Sequence, residues 1–268
     1  MLSNARPRPR RVRHQSLRQE YEEFLLQRIE EYKDQLSRQH LLAIADEAVR
    51  ELEVGPEEQL VLTEVLVLEH VDRLIMRRLN LPTFRKWRDR HLKLRQAQTD
   101  PLYWGLDPET PLTDMALRLE DSDIALLVGG GAAASGYFLA AHGWPTVLVD
   151  QNLTRIEAAE ARAAAEGLAA RFQTLVVTLG SWFPDMRPTL AIMDPETLAA
   201  LEPSTRDRVI SMFKDLTTPG GVHLVIPMDV EMGVLSFDGE ALVRHYRDWG
   251  MRKPASNSPA EGFIAIKP

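Results

Sequence analysis

The chain has 268 residues, 44% of them hydrophobic and 26% charged, the balance of an ordinary globular protein with room for one large or two modest cores. It contains no cysteine, so disulfides, thiolate metal sites and cysteine nucleophiles are excluded. The formal net charge of −7 is unevenly spread: residues 1–98 carry +3 and residues 99–268 carry −10, which predicts two domains of different character meeting near residues 98–101.

Residues 1–14 interleave Arg6, Arg8, Arg10, Arg11 and Arg13 with Pro7 and Pro9, a composition that disfavours packing and reads as a basic, disordered tail. Arginines without an apolar run behind them do not make a secretory signal, and a cytoplasmic location is expected. Over residues 15–98 the pattern is helical. Leu17, Tyr21, Leu25, Ile29, Tyr32 and Leu36 recur every three or four residues, and residues 41–52 continue after a bend near Ser37. Gly55-Pro56-Glu57-Glu58 stops one helix and starts another. That next helix, to about Leu79, carries Val61, Val65, Leu68, Val71, Ile75 and Leu79 on one side, widened by Leu66 and Val67. A helix so apolar is expected to be buried on two sides, which raises a homodimer through the helical domain.

Asn80-Leu81-Pro82 breaks the run, and Thr83 opens a basic helix with Arg85, Lys86, Arg88, Arg90, Lys93 and Arg95 around Phe84, Trp87 and Leu92. A helix, a short break and a basic helix raise a helix-turn-helix docked on DNA. Because the rest of the chain is acidic, the favoured reading packs Phe84, Trp87, His91 and Leu94 inward and leaves the cations as a solvated face, with no nucleic-acid partner. Residues 99–120 form a connector, rich in proline and aromatics up to Pro111 and suited to lying against a pocket, with a short helix over residues 113–119.

From residue 121 onward strands and helices alternate. Residues 124–128 are five apolar residues in a row, Gly129, Gly130 and Gly131 follow, residues 132–141 suit a helix on a sheet, and residues 146–149 form a second strand closed by Asp150. Strand, glycine turn, helix, strand and acid is the order of a nucleotide-binding βαβ unit, with the acid nineteen residues after Gly131. The uncharged run from Ile124 to Val149 is long enough to raise a membrane span, but its glycines, Pro145 and the lack of a positive flank argue against one. The alternation continues with a helix over 153–166 ended by Gly167 and strands over 172–178 and 189–193. A helix capped by Ser204 follows, then the turn Thr218-Pro-Gly-Gly221, a strand over 222–226, a helix over 238–248 and a closing strand over 263–266. The seven histidines are scattered, with no HxH or HExxH, so no metal site is expected; Ser135 reads as a small packing residue, His223 as a core or edge histidine, and His142 as a helix cap.

The glycine turn, Asp150, the Pro219-Gly220-Gly221 turn before a strand and the terminal strand pair together resemble class I S-adenosylmethionine-dependent methyltransferases. Residues 103–268 are similar to the tellurite-resistance branch, through Tyr103-Trp104-Gly105-Leu106, Met228-Asp229, Gly239-Glu240-Ala241-Leu242, Tyr246 and Trp249. The resemblance implies an α/β, Rossmann-like sheet, mostly parallel with an antiparallel last strand, preceded here by an all-α N-terminal domain. It implies S-adenosyl-L-methionine as cofactor and a small-molecule nucleophile as methyl acceptor. Carried over position by position, Gly129, Gly130 and Gly131 would let the backbone approach the methionine end, Asp150 would bind the ribose hydroxyls, Gln151 would border the adenine, and Thr178 would stand where an acid meets the adenine amino group.

Several positions depart from the family. Leu127 stands where an acid usually precedes the first glycine, Ala133 replaces a glycine of the turn, Thr189 opens the fourth strand in place of an acid with Asp194 at its far end, and the C-terminal segment shortens to Ser256-Asn-Ser-Pro259. No catalytic residue is assigned. The alternatives are a catalytically degenerate methyltransferase-like scaffold or regulator, a DNA-associated protein using the basic helix and tail, and a nicotinamide-binding Rossmann domain, since residues 129–134 also read GxGxxA.

Overall fold

The structure is a computed structural model that describes residues 16–53, 64–118, 120, 123–225, 239–252 and 263–268. The chain divides between Leu94 and Arg95 into two compact units. The boundary falls inside the last turns of the basic helix rather than in the connector after it.

In the N-terminal unit, α1 (Leu17–Asp34), α2 (Arg38–Glu53), α3 (Glu64–Arg78) and the start of α4 (Phe84–Gln98) follow one another. Ser16 opens α1 with a reciprocal capping box: its hydroxyl accepts the Gln19 N–H, and the Gln19 side chain accepts the Ser16 N–H. Ile29, Ile44, Ala48, Val71, Leu74 and Ile75 make the core. Phe84 and Trp87 turn inward onto Tyr21 and Phe24, with Tyr21 and Trp87 ring centres 5.4 Å apart, so the aromatic face of α4 is structural. Val65 and Leu68 of α3 are exposed, and the first residues of the apolar run, 61–63, lie outside the described residues. An open hollow of about 550 Å³ is lined by His70, Arg73, Met76, Arg77, Asn80 and Leu81; two of its basic groups, His70 and Arg77, already meet Glu51.

In the second unit, the helices are α5 (Pro111–Ala116), α6 (Ala133–Ala141), α7 (Leu153–Ala165), α8 (Pro195–Ala200), α9 (Pro203–Leu216) and α10 (Gly239–His245). The strands are β1 (Ala125–Val128), β2 (Thr146–Asp150), β3 (Phe172–Val176), β4 (Leu190–Met193), β5 (Val222–Val225), β6 (Gly250–Arg252) and β7 (Phe263–Ile266). They form one sheet in the order β3-β2-β1-β4-β5-β7-β6. The first five in that order are parallel, and β7 runs antiparallel to both β5 and β6. This is the mostly parallel sheet with an antiparallel last strand that the resemblance implies, and it departs from the wholly parallel six-stranded order of a dinucleotide-binding fold.

All four residues of β1 are fully buried, because both faces of the sheet are covered. Leu127 points into the cluster beneath α6, with Phe138, Leu139 and Leu148; Leu126 and Val128 point into the opposite cluster, with Val209, Ile210 and Phe213 of α9. Gly136 of α6 lies so close to the sheet that a Cβ there would sit 2.6 Å from Phe172 and 3.2 Å from Leu127. Two local expectations change. Helix α9 starts at Pro203 with Glu202 as its cap and no side-chain cap bond, not at Ser204, because a proline at the first helical position brings its backbone already bent to helical φ. The connector does not line a pocket through Trp104: that ring is buried in the core against Tyr137, and its Nε1 donates to the Gln98 carbonyl at 2.8 Å.

Candidate functional site

In the order of this sheet the chain reverses direction between β1 and β4, and the crevice beyond the carboxyl ends of the strands at such a point is where open α/β sheets bind ligands. The segments meeting there are the glycine turn after β1, Asp150 to Asn152 after β2, the residues after β3, and Asp194 to Thr197 after β4.

The turn is built on backbone. Gly129 has φ +90, a region side chains rarely adopt, and its N–H donates to the Val149 carbonyl at 2.9 Å. Residues Gly130–Ala132 make one 3-10 turn that runs straight into α6. Asp150 closes β2 beside it: one carboxylate oxygen accepts the Gly130 N–H at 2.6 Å, and the other accepts the Asn152 N–H at 2.8 Å. The two halves of the expected βαβ signature therefore touch, although twenty residues separate them in sequence. Asp150 is 2% exposed, held by donors from both sides of the crevice.

The glycines are obligatory for packing as well as for conformation. A Cβ on Gly129 would fall 2.3 Å from the Thr197 hydroxyl and 2.7 Å from Asp194, one on Gly131 would fall 2.7 Å from the Asp194 carboxylate, and one on Gly130 would fall 2.9 Å from the Arg155 stem. Asp194 is joined to β1 through its N–H, which donates to the Val128 carbonyl at 2.9 Å. Its side chain caps α8, accepting the Glu196 N–H at 3.1 Å and the Thr197 hydroxyl at 2.6 Å. Sequence reasoning stopped at the end of β4 and missed α8. The signal was present in Asp194-Pro195-Glu196, a cap, a proline at the first helical position and an acid in the first turn.

Of the six positions carried over from the family, Gly129 is buried, Gly130 and Gly131 are half-buried, Asp150 is buried at the crevice, and Gln151 and Thr178 are exposed at the ends of β2 and β3. Leu127, where an acid usually stands, lies inside the core and offers the crevice nothing. Met228, Asp229 and residues 256–259 lie outside the described residues.

The titratable groups elsewhere in the sheet are structural. His223 of β5 is fully buried: its Nε2 faces the Thr217 hydroxyl at 2.6 Å and its Nδ1 faces the Tyr246 hydroxyl at 2.7 Å. Thr217 already donates to the Phe213 carbonyl at 2.7 Å, so the network assigns the proton to Nε2 and leaves Nδ1 accepting from Tyr246. Burial, and after it the charges of Lys267 and Lys214, lower the His223 pKa from 6.5 to about 3, and burial raises that of Tyr246. A histidine that stays neutral and has both nitrogens engaged is a poor general base. His142 caps α6 through the Phe138 carbonyl at 2.9 Å, and Ser135 is buried inside that helix, not on an elbow.

No family model matches the chain, and no curated protein does. Solved structures similar to it include TehB from Haemophilus influenzae, 17% identical, over 59% of this chain and 61% of that one, with a TM-score of 0.43. The N-methyltransferase NodS from Bradyrhizobium japonicum WM9 is 14% identical over 68% of this chain and 96% of its own, with a TM-score of 0.44. An O-methyltransferase family protein from Burkholderia thailandensis is 16% identical over 58% and 54%, with a TM-score of 0.45. The chain thus spans about three-fifths of the first of these. Among the described residues no helix is long and apolar enough to cross a membrane.

Proposed function

We propose that the second unit binds S-adenosyl-L-methionine across the carboxyl ends of β1, β2 and β4 and transfers its methyl group to a small nucleophile. The observation that carries this reading is the bond between the Asp150 carboxylate and the Gly130 N–H, at the switch point of a sheet whose closing strand is antiparallel. The residues fit the cofactor. Gly130 and Gly131 keep part of their backbone accessible, and Gln151 and Thr178 stand open at the rim. A carboxylate has about four lone-pair sites, of which Asp150 uses two, so hydroxyls can still be accepted there.

When bound, the cofactor supplies an activated methyl group, so the protein's share is to hold the acceptor in line and exclude water. Asp150 would take the ribose hydroxyls, the amides of the turn would face the amino-acid arm, and Gln151 and Thr178 would border the base. Calorimetric titration of the intact chain with S-adenosylmethionine tests the reading; no heat and no thermal shift at millimolar ligand would sink it.

A second reading, a catalytically degenerate domain acting as scaffold or regulator, is supported by the burial of Leu127 and the locked, neutral state of His223. It predicts binding without turnover, or no binding at all. The helical unit would then be the interaction surface, and the exposed Val65 and Leu68 favour a second copy of this chain as its partner. A cytoplasmic setting suits either reading.

A further inference from the structure

Asp150 is not alone at the turn. Asp194 is also 2% exposed, and both of its carboxylate oxygens lie within 2.8 Å of the place a Cβ on Gly131 would occupy. It accepts two hydrogen bonds, from Glu196 and Thr197, which leaves about half of a carboxylate's accepting capacity unspent. Among the described residues no lysine, arginine or histidine pairs with Asp194, and none pairs with Asp150. Buried carboxylates are ordinarily matched by a cation or fully hydrogen-bonded. Here two of them border the same three glycines with neither condition met, and the turn between them is half-open.

We infer that Asp194 receives the cationic end of the ligand, the ammonium of the cofactor's amino-acid arm, and makes the crevice select for nucleosides carrying that arm. The inference rests on the cofactor reading above and adds a residue that comes from β4, not from β1. Leu127, buried beneath α6, cannot serve, whereas Asp194 is carried to the turn by the β1–β4 pairing, in which Met193 lies opposite Val128. The competing role for Asp194 is only to cap α8. Asp194→Asn separates the two, because asparagine caps a helix about as well as aspartate and keeps its shape while removing the charge.

The test is calorimetric titration of wild type and Asp194→Asn with S-adenosylhomocysteine and with 5′-methylthioadenosine, a neutral thioether of the same nucleoside without the amino-acid arm. The expected result is that the variant loses about ten- to hundredfold in affinity for S-adenosylhomocysteine, as for a hydrogen-bonded charge pair left incomplete. Its affinity for 5′-methylthioadenosine stays unchanged. An equal loss for both ligands marks a structural cap and overturns the assignment, as does no loss for either. Wild type binding both ligands equally well also overturns it while leaving the nucleoside site standing. Wild type binding neither defeats the cofactor reading itself, and the Asp194 assignment with it.

Discussion

The buried His223 makes the stability of the second unit depend on pH in a way that can be calculated. In the unfolded chain the imidazole takes a proton near 6.5, whereas in the folded protein burial and the two lysines hold it neutral down to about 3. Because the folded pKa is the lower one, the unfolded state binds the extra proton first. The stabilisation is therefore complete above the unfolded value, is lost as pH falls below it, and stops falling once the folded value is passed. Each unit of pH within that window is worth about 1.4 kcal/mol, so acidifying from neutrality to pH 5 should remove roughly 2 kcal/mol through this one residue. The assay is urea denaturation at a series of pH values, for wild type and for His223→Gln, which keeps a donor and an acceptor but does not titrate. The variant is expected to start less stable, because Thr217 and Tyr246 are repositioned, yet to lose about 2 kcal/mol less between pH 7 and 5. All other histidines titrate equally in both proteins and cancel. Parallel pH profiles would refute the reasoning, since they would mean that the folded protein protonates His223 as readily as water does.

Gly129→Ala combines a φ of +90 with a Cβ 2.3 Å from Thr197, and should destabilise the protein by about 2–4 kcal/mol in the same denaturation assay. A loss below about 1 kcal/mol would mean that the turn relaxes freely. Asp150→Asn leaves one acceptor oxygen for two backbone donors and removes the charge offered to a diol; titration should show at least a tenfold weaker affinity for S-adenosylmethionine, with about 1–2 kcal/mol lost from stability. Unchanged affinity would remove Asp150 from the site. Sedimentation velocity at micromolar concentration should show a dimer that Leu68→Lys dissociates, and a wild-type monomer would refute pairing through α3.

The resemblance foresaw the two-part organisation of the sheet, and spacing alone foresaw that Gly129 to Gly131 and Asp150 belong together. A parallel strand buried on both faces must read as an uninterrupted apolar run, and a chain turning under a helix N-terminus must use glycine; both are local requirements written in local residues. Helix α8 and the place of Asp194 were less legible. Its signal, an acid before a proline, lasts three residues and is as common at the end of a strand as at the start of a helix.

What the sequence could not decide is where each side chain faces. Leu127 and Asp194 are a leucine and an acid at two strand ends, and nothing local says which one meets the turn. Alternation along β1 sends position 127 beneath α6, and parallel pairing with β4 brings Asp194 against Gly131. The same pairing locks His223 between Thr217 and Tyr246, residues 6 and 23 positions away along the chain. Residue type and period fix the strands and the glycine turn, whereas the order in which strands lie side by side fixes which acids share the crevice and which histidine is sealed from it.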